Sequence, residues 1–169
     1  MDEIYEETVS FSLIKVVLAI LAVITLSMLF LLVYQLTIGP LGSRPAPDWF
    51  YLFMFLFFSG ITAFVTNFNK LSIKMTTQSV TVGFGIMKKT ISWDNIEGCY
   101  LDEASGLSYG GWGIRLARIK GRWRSVYNVI GYPVIVLELS TGKFRELAFS
   151  TSNHQEVLGI VGRKIGREG

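Results

Sequence analysis

From Val16 to Ile38 the chain reads VVLAILAVITLSMLFLLVYQLTI, 23 residues without a charge, a proline or a glycine. At about 1.5 Å per residue, a helix of this length crosses the ~30 Å hydrocarbon core of a bilayer. A helix buried in a soluble protein is rarely apolar on every face for so long. A second apolar run, Trp49 to Asn69, follows after a short loop. The chain is therefore constrained first by a pair of membrane helices, about 11–38 and 49–69. Whatever follows Lys70 is delivered to one membrane surface.

The connecting loop, GPLGSRPAPD at 39–48, holds three of the four prolines. Proline and glycine there forbid a continuous helix. Tyr34 and Trp49 sit where aromatic rings favour the interface. The loop carries only Arg44, whereas Lys15 precedes the first helix and Lys70, Lys74, Lys88 and Lys89 follow the second. The positive-inside rule then predicts a multi-pass cell-membrane protein with both termini in the cytoplasm. Ahead of the first helix, Asp2, Glu3, Glu6 and Glu7 read as a short acidic tail. It lacks the basic start of a signal peptide, so the first helix is expected to be retained. Neither apolar run contains an ionisable residue, which argues for an anchor rather than an ion or proton path. Ser59 and Ala63 have the small-xxx-small spacing of helix contacts, a pattern common by chance.

After Lys70 the hydrophobic period changes. Leu71, Ile73 and Met75 alternate with polar residues, as do Val80, Val82 and Phe84, with a turn at Gln78-Ser79. Alternation of this kind marks half-buried strands. Further strands are expected near 87–93, 96–102, 112–119, 123–130 and 133–139, and a Thr141-Gly142 turn leads into 143–150. At the end, Val157, Leu158, Val161 and Ile165 share one helical face. Thr151, Ser152 and Asn153 offer helix caps, with Gln155 placed for a capping box on Ser152. The domain expectation is 1–69 for tail and hairpin, and 70–169 for a mostly antiparallel domain of about seven strands closed by a helix.

Charge is uneven. Residues 70–169 carry 14 Lys/Arg against 8 Asp/Glu. A basic domain on a membrane tether meets anionic lipid more readily than nucleic acid, which is not an expected partner. One cysteine, Cys99, and one histidine, His154, exclude an intramolecular disulfide and a Cys/His zinc cage. No phosphate-binding glycine loop and no acid/base pair with catalytic spacing is present, and Asp102 and Glu103 face opposite ways on a strand. No enzyme activity, metal or cofactor is expected. A membrane-enzyme subunit using Cys99 or His154 is the alternative, although a lone strand cysteine is usually structural. Leu158–Ile165 spells an RNA-binding KH loop, but too few residues follow it for that fold.

The most distinctive stretch is Tyr109-Gly110-Gly111-Trp112-Gly113-Ile114-Arg115, followed by Arg118, Lys120, Arg122 and Arg124 at every second position. If the strand is continuous, these four share a face. If Gly121 is a hairpin tip, they cluster there. No acid lies between Glu103 and Glu138. Arg115, Arg118, Lys120, Arg122 and Arg124 are the candidate lipid- or anion-binding residues, each worth about 1 kcal/mol near a charged leaflet. The plainer reading is a solvated face that protects a sheet edge.

Two membrane helices followed by Tyr109–Arg115, Tyr127-Asn128-Val129-Ile130-Gly131, Thr141-Gly142-Lys143 and Ala148–Asn153 with a helix after it resemble the prokaryotic membrane-anchored PH-like proteins. The resemblance covers about residues 1–166 and departs in the basic segment Arg115–Arg124. It implies a seven-stranded, strongly bent PH-like barrel capped by a C-terminal helix, with no catalytic residues. The expected role is a binding or scaffold module for a membrane-protein partner or a second copy of itself, with contact to anionic lipid. A sensor of anionic lipid or of a small anion is the alternative.

Overall fold

The computed structural model describes residues 3–102, 109, 111–119 and 121–166. The chain divides into two compact units, a helical one from Ser12 to Asn69 and a sheet-rich one made of the flanking segments.

In the helical unit, α1 (Ser12–Thr37) and α2 (Asp48–Asn67) form a hairpin. Both are long and apolar enough to cross a membrane, and their most apolar stretches contain no buried residues. An apolar helix with its side chains outward needs an apolar surrounding. The hydroxyls of Thr25 and Thr62 close their own helices by donating to Leu21 O and Phe58 O, each at 2.8 Å. They also lie 3.4 Å apart across the pair. The loop is tied down by Gln35, whose Nε2 donates to Ala46 O (2.8 Å) and Asp48 Oδ1 (2.5 Å).

The sheet-rich unit begins with a strand that the sequence reading assigned to an acidic tail. β1 (Glu3–Ser10) pairs antiparallel with β2 (Lys70–Thr76), from Ser10↔Lys70 to Tyr5↔Met75. The domain boundary therefore differs from the expected 69/70 split, because residues 3–10 belong to the sheet. Tyr5, Glu7 and Val9 point inward while Ile4, Glu6 and Thr8 point out. Glu7 breaks the apolar alternation, which is why the strand is hard to see in the sequence. β3 (Ser79–Phe84) and β4 (Met87–Ser92) complete a sheet of order β1-β2-β3-β4. Its inner face carries Leu71, Ile73, Met75, Val80, Val82 and Phe84, all fully buried. Each such side chain contributes about 1.5–3 kcal/mol of burial. At the expected turn, Thr76 Oγ1 accepts from the N–H groups of Gln78 (3.3 Å) and Ser79 (3.1 Å).

A short helical turn, Trp93–Asn95, leads to the second sheet. It contains β5 (Ile96–Asp102), β6 (Gly113–Ile119), β7 (Arg122–Asn128), β8 (Val134–Leu139) and β9 (Glu146–Ser150) in the order β5-β8-β9-β7-β6. The β7–β9 pair is parallel and the others are antiparallel. The described strands number nine in two sheets, against about seven expected. Phe84 of the first sheet meets Trp112 edge-on, with ring centroids 6.5 Å apart.

The last element, α3 (His154–Ile165), packs on β5 through a face that includes Val157, Ile160 and Val161. Ile160 is buried although the sequence pattern did not single it out. The expected capping box does not form, since Asn153 is the cap residue and no side chain caps the helix. The Ser152 hydroxyl is committed instead to Glu7. Gly159 and Gly162 are not close-packing positions, because a Cβ at either would meet nothing within 4 Å.

Candidate functional site

Gly121, with φ +82°, is the tip of a β6–β7 hairpin, so the basic residues do not form one continuous strand face. The left-handed conformation is open to glycine at no Cβ cost. Register pairs Arg118 with Trp123, Ala117 with Arg124 and Arg115 with Val126. Cross-strand partners share a face and neighbours alternate. Arg115, Ala117, Arg122 and Arg124 therefore lie on one face, and Leu116, Arg118 and Trp123 on the other. Arg115, Arg118 and Arg122 are exposed. Lys120 lies outside the described residues. Leu116 is 60% exposed and Trp123 47%, so this face of the outer hairpin presents an aliphatic and an aromatic side chain beside Arg118.

Arg124 is different in kind. It is only 3% exposed, so it cannot serve as a surface anion ligand in this structure. Its Nε donates to Glu146 Oε2 (2.7 Å), its Nη1 to Asp102 Oδ2 (2.5 Å) and its Nη2 to the Tyr100 hydroxyl (2.9 Å). Nη1 also donates to the Tyr109 hydroxyl, which in turn donates to Asp102. A planar guanidinium with five donors suits such a convergent set. Burial disfavours the charge on Arg124, but the bond to Glu146 together with the charge interactions with Tyr109, Glu146 and Tyr100 outweighs it, and the guanidinium is held above its usual range. Burial, then the bond to Asp102, raises the Tyr109 hydroxyl far enough that it remains a donor.

Nothing in the spacing of the sequence paired Arg124 with Glu146, 22 residues away. The parallel register Arg124↔Glu146 makes that pair. Tyr109 adds its ring to a buried cluster with Val126, Val134, Val136 and Ala148. The Tyr-Asn-Val stretch is also structural. Asn128 is fully buried, donates from Nδ2 to Gly111 O (2.5 Å) and accepts from Ser150 Oγ (3.0 Å). Together these contacts fix the root of the hairpin and leave its tip outward.

Arg122 is only partly available. Its Nη1 lies 3.3 Å from Glu138 Oε1 and 3.9 Å from Glu146 Oε1. The exposed pair with Glu138 is worth roughly 0–1 kcal/mol, so an anionic surface can compete with that contact. Arg115 and Arg118 form no ion pair with a described carboxylate.

Cys99 is a half-buried free thiol in β5, and burial pushes its pKa up, away from a reactive thiolate. His154 opens α3. Among the described residues no group of three or more His, Cys, Asp or Glu is placed to hold a metal ion.

Comparison of the chain with protein-family models, with curated proteins and with solved structures finds no match.

Proposed function

We propose that this chain is a membrane-anchored PH-like binding module whose β6–β7 hairpin touches an anionic bilayer surface. The observation that carries the reading is one face of the outer hairpin, where exposed Trp123 and Leu116 stand beside Arg118. Tryptophan and arginine together suit the lipid interface, where a ring lies at head-group depth and a cation meets phosphate. With Arg124 committed inside and Arg115 and Arg122 on the opposite face, Arg118 supplies about 1 kcal/mol near a charged leaflet. That is enough to orient a tethered domain and too little to recruit a free one.

The two apolar helices supply the tether. Strand β1 precedes α1 in the chain and pairs with β2, which follows α2, so both ends of the hairpin lead into one sheet. Two crossings return the chain to its starting side, and the lysines beyond α2 favour the cytoplasm. Two sheets followed by a C-terminal helix support the PH-like reading, while the nine described strands and the parallel β7–β9 pair depart from the seven-stranded antiparallel barrel. A second reading is docking on a membrane-protein partner or another copy of the chain. It is favoured by the position of β6 at a sheet edge with Leu116 outward.

The test uses full-length protein in nanodiscs, with Cys99→Ser and a spin label at Leu116→Cys. In anionic lipid at low salt the label becomes shielded from a water-soluble relaxant, and high salt reverses the shielding. Arg118→Ala abolishes it. Equal accessibility in neutral and anionic lipid rejects lipid contact and turns the hairpin into a partner-facing surface.

A further inference from the structure

A second basic feature shares no lining residue with the β6–β7 hairpin. A groove of about 400 Å³ runs between β4 and the turn that joins β8 to β9, lined by Lys89, Ser92, Asn95, Lys143 and Phe144 among others. Its volume is within the range of small-molecule sites. Lys89 stands opposite Val82 in register, two residues before the buried Ile91, so it projects from the core-facing side of the sheet. Its Nζ lies 5.3 Å from the centre of the Phe144 ring, and Lys143 Nζ lies 5.9 Å from the same ring. Two ammonium groups thus gather around one aromatic side chain.

No described carboxylate lines this groove or forms an ion pair with either lysine. Burial pushes the Lys89 ammonium below the usual lysine range. A desolvated cation without a counter-charge is stabilised by any anion that reaches it. An inward lysine on an edge strand also discourages strand pairing, but that role does not need a second lysine on the same ring.

The walls are held in place before any ligand arrives. Asn95 Oδ1 accepts from Ser140 Oγ (2.7 Å), Thr141 N (2.8 Å) and Thr141 Oγ1 (2.8 Å). The bond from Leu139 N to Arg145 O (2.8 Å) closes the turn. Gly142, at φ +109°, bends it. Because β4 is a sheet edge, alternate backbone N–H groups along it point away from β3. The Thr141 hydroxyl donates to Asn95 and the Ser92 hydroxyl to Asp94 (3.4 Å), so the donors left for a ligand are the two lysines and the edge backbone.

We propose that this groove binds a phosphate-bearing ligand, with the phosphate held between Lys89 and Lys143 and the body of the ligand along Phe144. The shared chemistry is a multiply charged phosphate, from a lipid head group or a soluble phosphate ester. The site uses none of the hairpin arginines, so it stands or falls separately from the lipid-contact reading.

The experiment is lysine acylation footprinting by mass spectrometry on full-length protein in nanodiscs. One arm uses neutral phosphatidylcholine discs titrated with inorganic pyrophosphate, against sodium chloride of equal ionic strength. The other uses discs containing phosphatidate and no soluble phosphate. Pyrophosphate well above its Kd slows acylation of Lys89 and Lys143 together by at least about fivefold and leaves Lys88 unchanged. Lys143→Gln, on an exposed turn position, removes the protection of Lys89. Protection by phosphatidate alone supports the site with a lipid as the source. No protection in either arm, or equal slowing at Lys88, overturns the proposal.

Discussion

Replacing Glu7 by alanine tests how the first strand is held. The Glu7 carboxylate is 9% exposed and accepts four hydrogen bonds. They come from the Tyr5 hydroxyl (2.8 Å), Thr151 Oγ1 (2.5 Å), Ser152 N (2.7 Å) and Ser152 Oγ. Burial alone pushes this carboxyl up, but the donors of Ser152 and Thr151 and the Tyr5 hydroxyl outweigh it and hold the carboxyl below its ordinary value of 4.5. The Tyr5 hydroxyl, pushed up to about 12 by burial and by Glu7, stays a donor throughout. In Glu7→Ala the exposed Ser152 rehydrates, while the buried Thr151 and Tyr5 hydroxyls lose their acceptor. Leaving a buried polar group unsatisfied costs about 1–3 kcal/mol, so the expected loss near pH 7 is about 3 kcal/mol. For a domain of this size that lowers the thermal midpoint by roughly 15 °C. The folded pKa is depressed, so the part of this stability linked to ionisation is fully present above the unfolded value and is lost as pH falls through the folded one. Near-UV circular dichroism melts of full-length protein, from about pH 7 to about pH 3, therefore show the gap between wild type and variant narrowing in acid. A gap that is absent, or unchanged across that range, refutes the reasoning.

Deleting residues 1–11 exposes the edge of β2, and hydrogen exchange is expected to lose its protection along Leu71–Met75. Unchanged protection there would mean that β1 contributes nothing to the sheet. Arg124→Met leaves the buried carboxylate of Glu146 and the partly buried one of Asp102 without this cation and costs about 3–5 kcal/mol in chemical denaturation. Glu146→Gln in the same chain recovers part of it, and a loss below about 1 kcal/mol would contradict the network. A Cβ on Gly83 would lie 2.3 Å from Met87 O and 2.4 Å from Lys88 Cα, both backbone atoms. Gly83→Ala therefore destabilises by about 1–3 kcal/mol, and a neutral result in a melt would show that β3 and β4 can separate there.

Much of the architecture is visible in the residues because it follows from local periodicity. The uncharged run at Val16–Ile38, the alternation at Leu71–Met75 and Val80–Phe84, and the glycine turns at Gly121 and Gly142 each act within a few positions. The candidate site was legible only in part. Exposed Arg118 and Arg122 were read from their spacing, but so was Arg124, which the fold encloses with Glu146, Asp102, Tyr100 and Tyr109. Alternation along a strand tells which residues share a face. It does not tell which face a neighbouring strand or loop will cover.

By itself the sequence determined the two apolar helices, the change to a strand-forming domain after Lys70 and the excess of positive charge there. These rest on hydrophobicity and charge, which act whatever the partners in space. Tertiary structure alone decided that an acidic N-terminal segment is a strand, that Glu7 meets Thr151 and Ser152, that Arg124 is a buried ion-pair partner, and that Lys89 and Lys143 meet at Phe144. Each joins residues distant in the chain, up to 145 positions apart for Glu7 and Ser152. Such a charged or polar group is buried only where the whole fold supplies its partner, because without one the cost of desolvation forbids it.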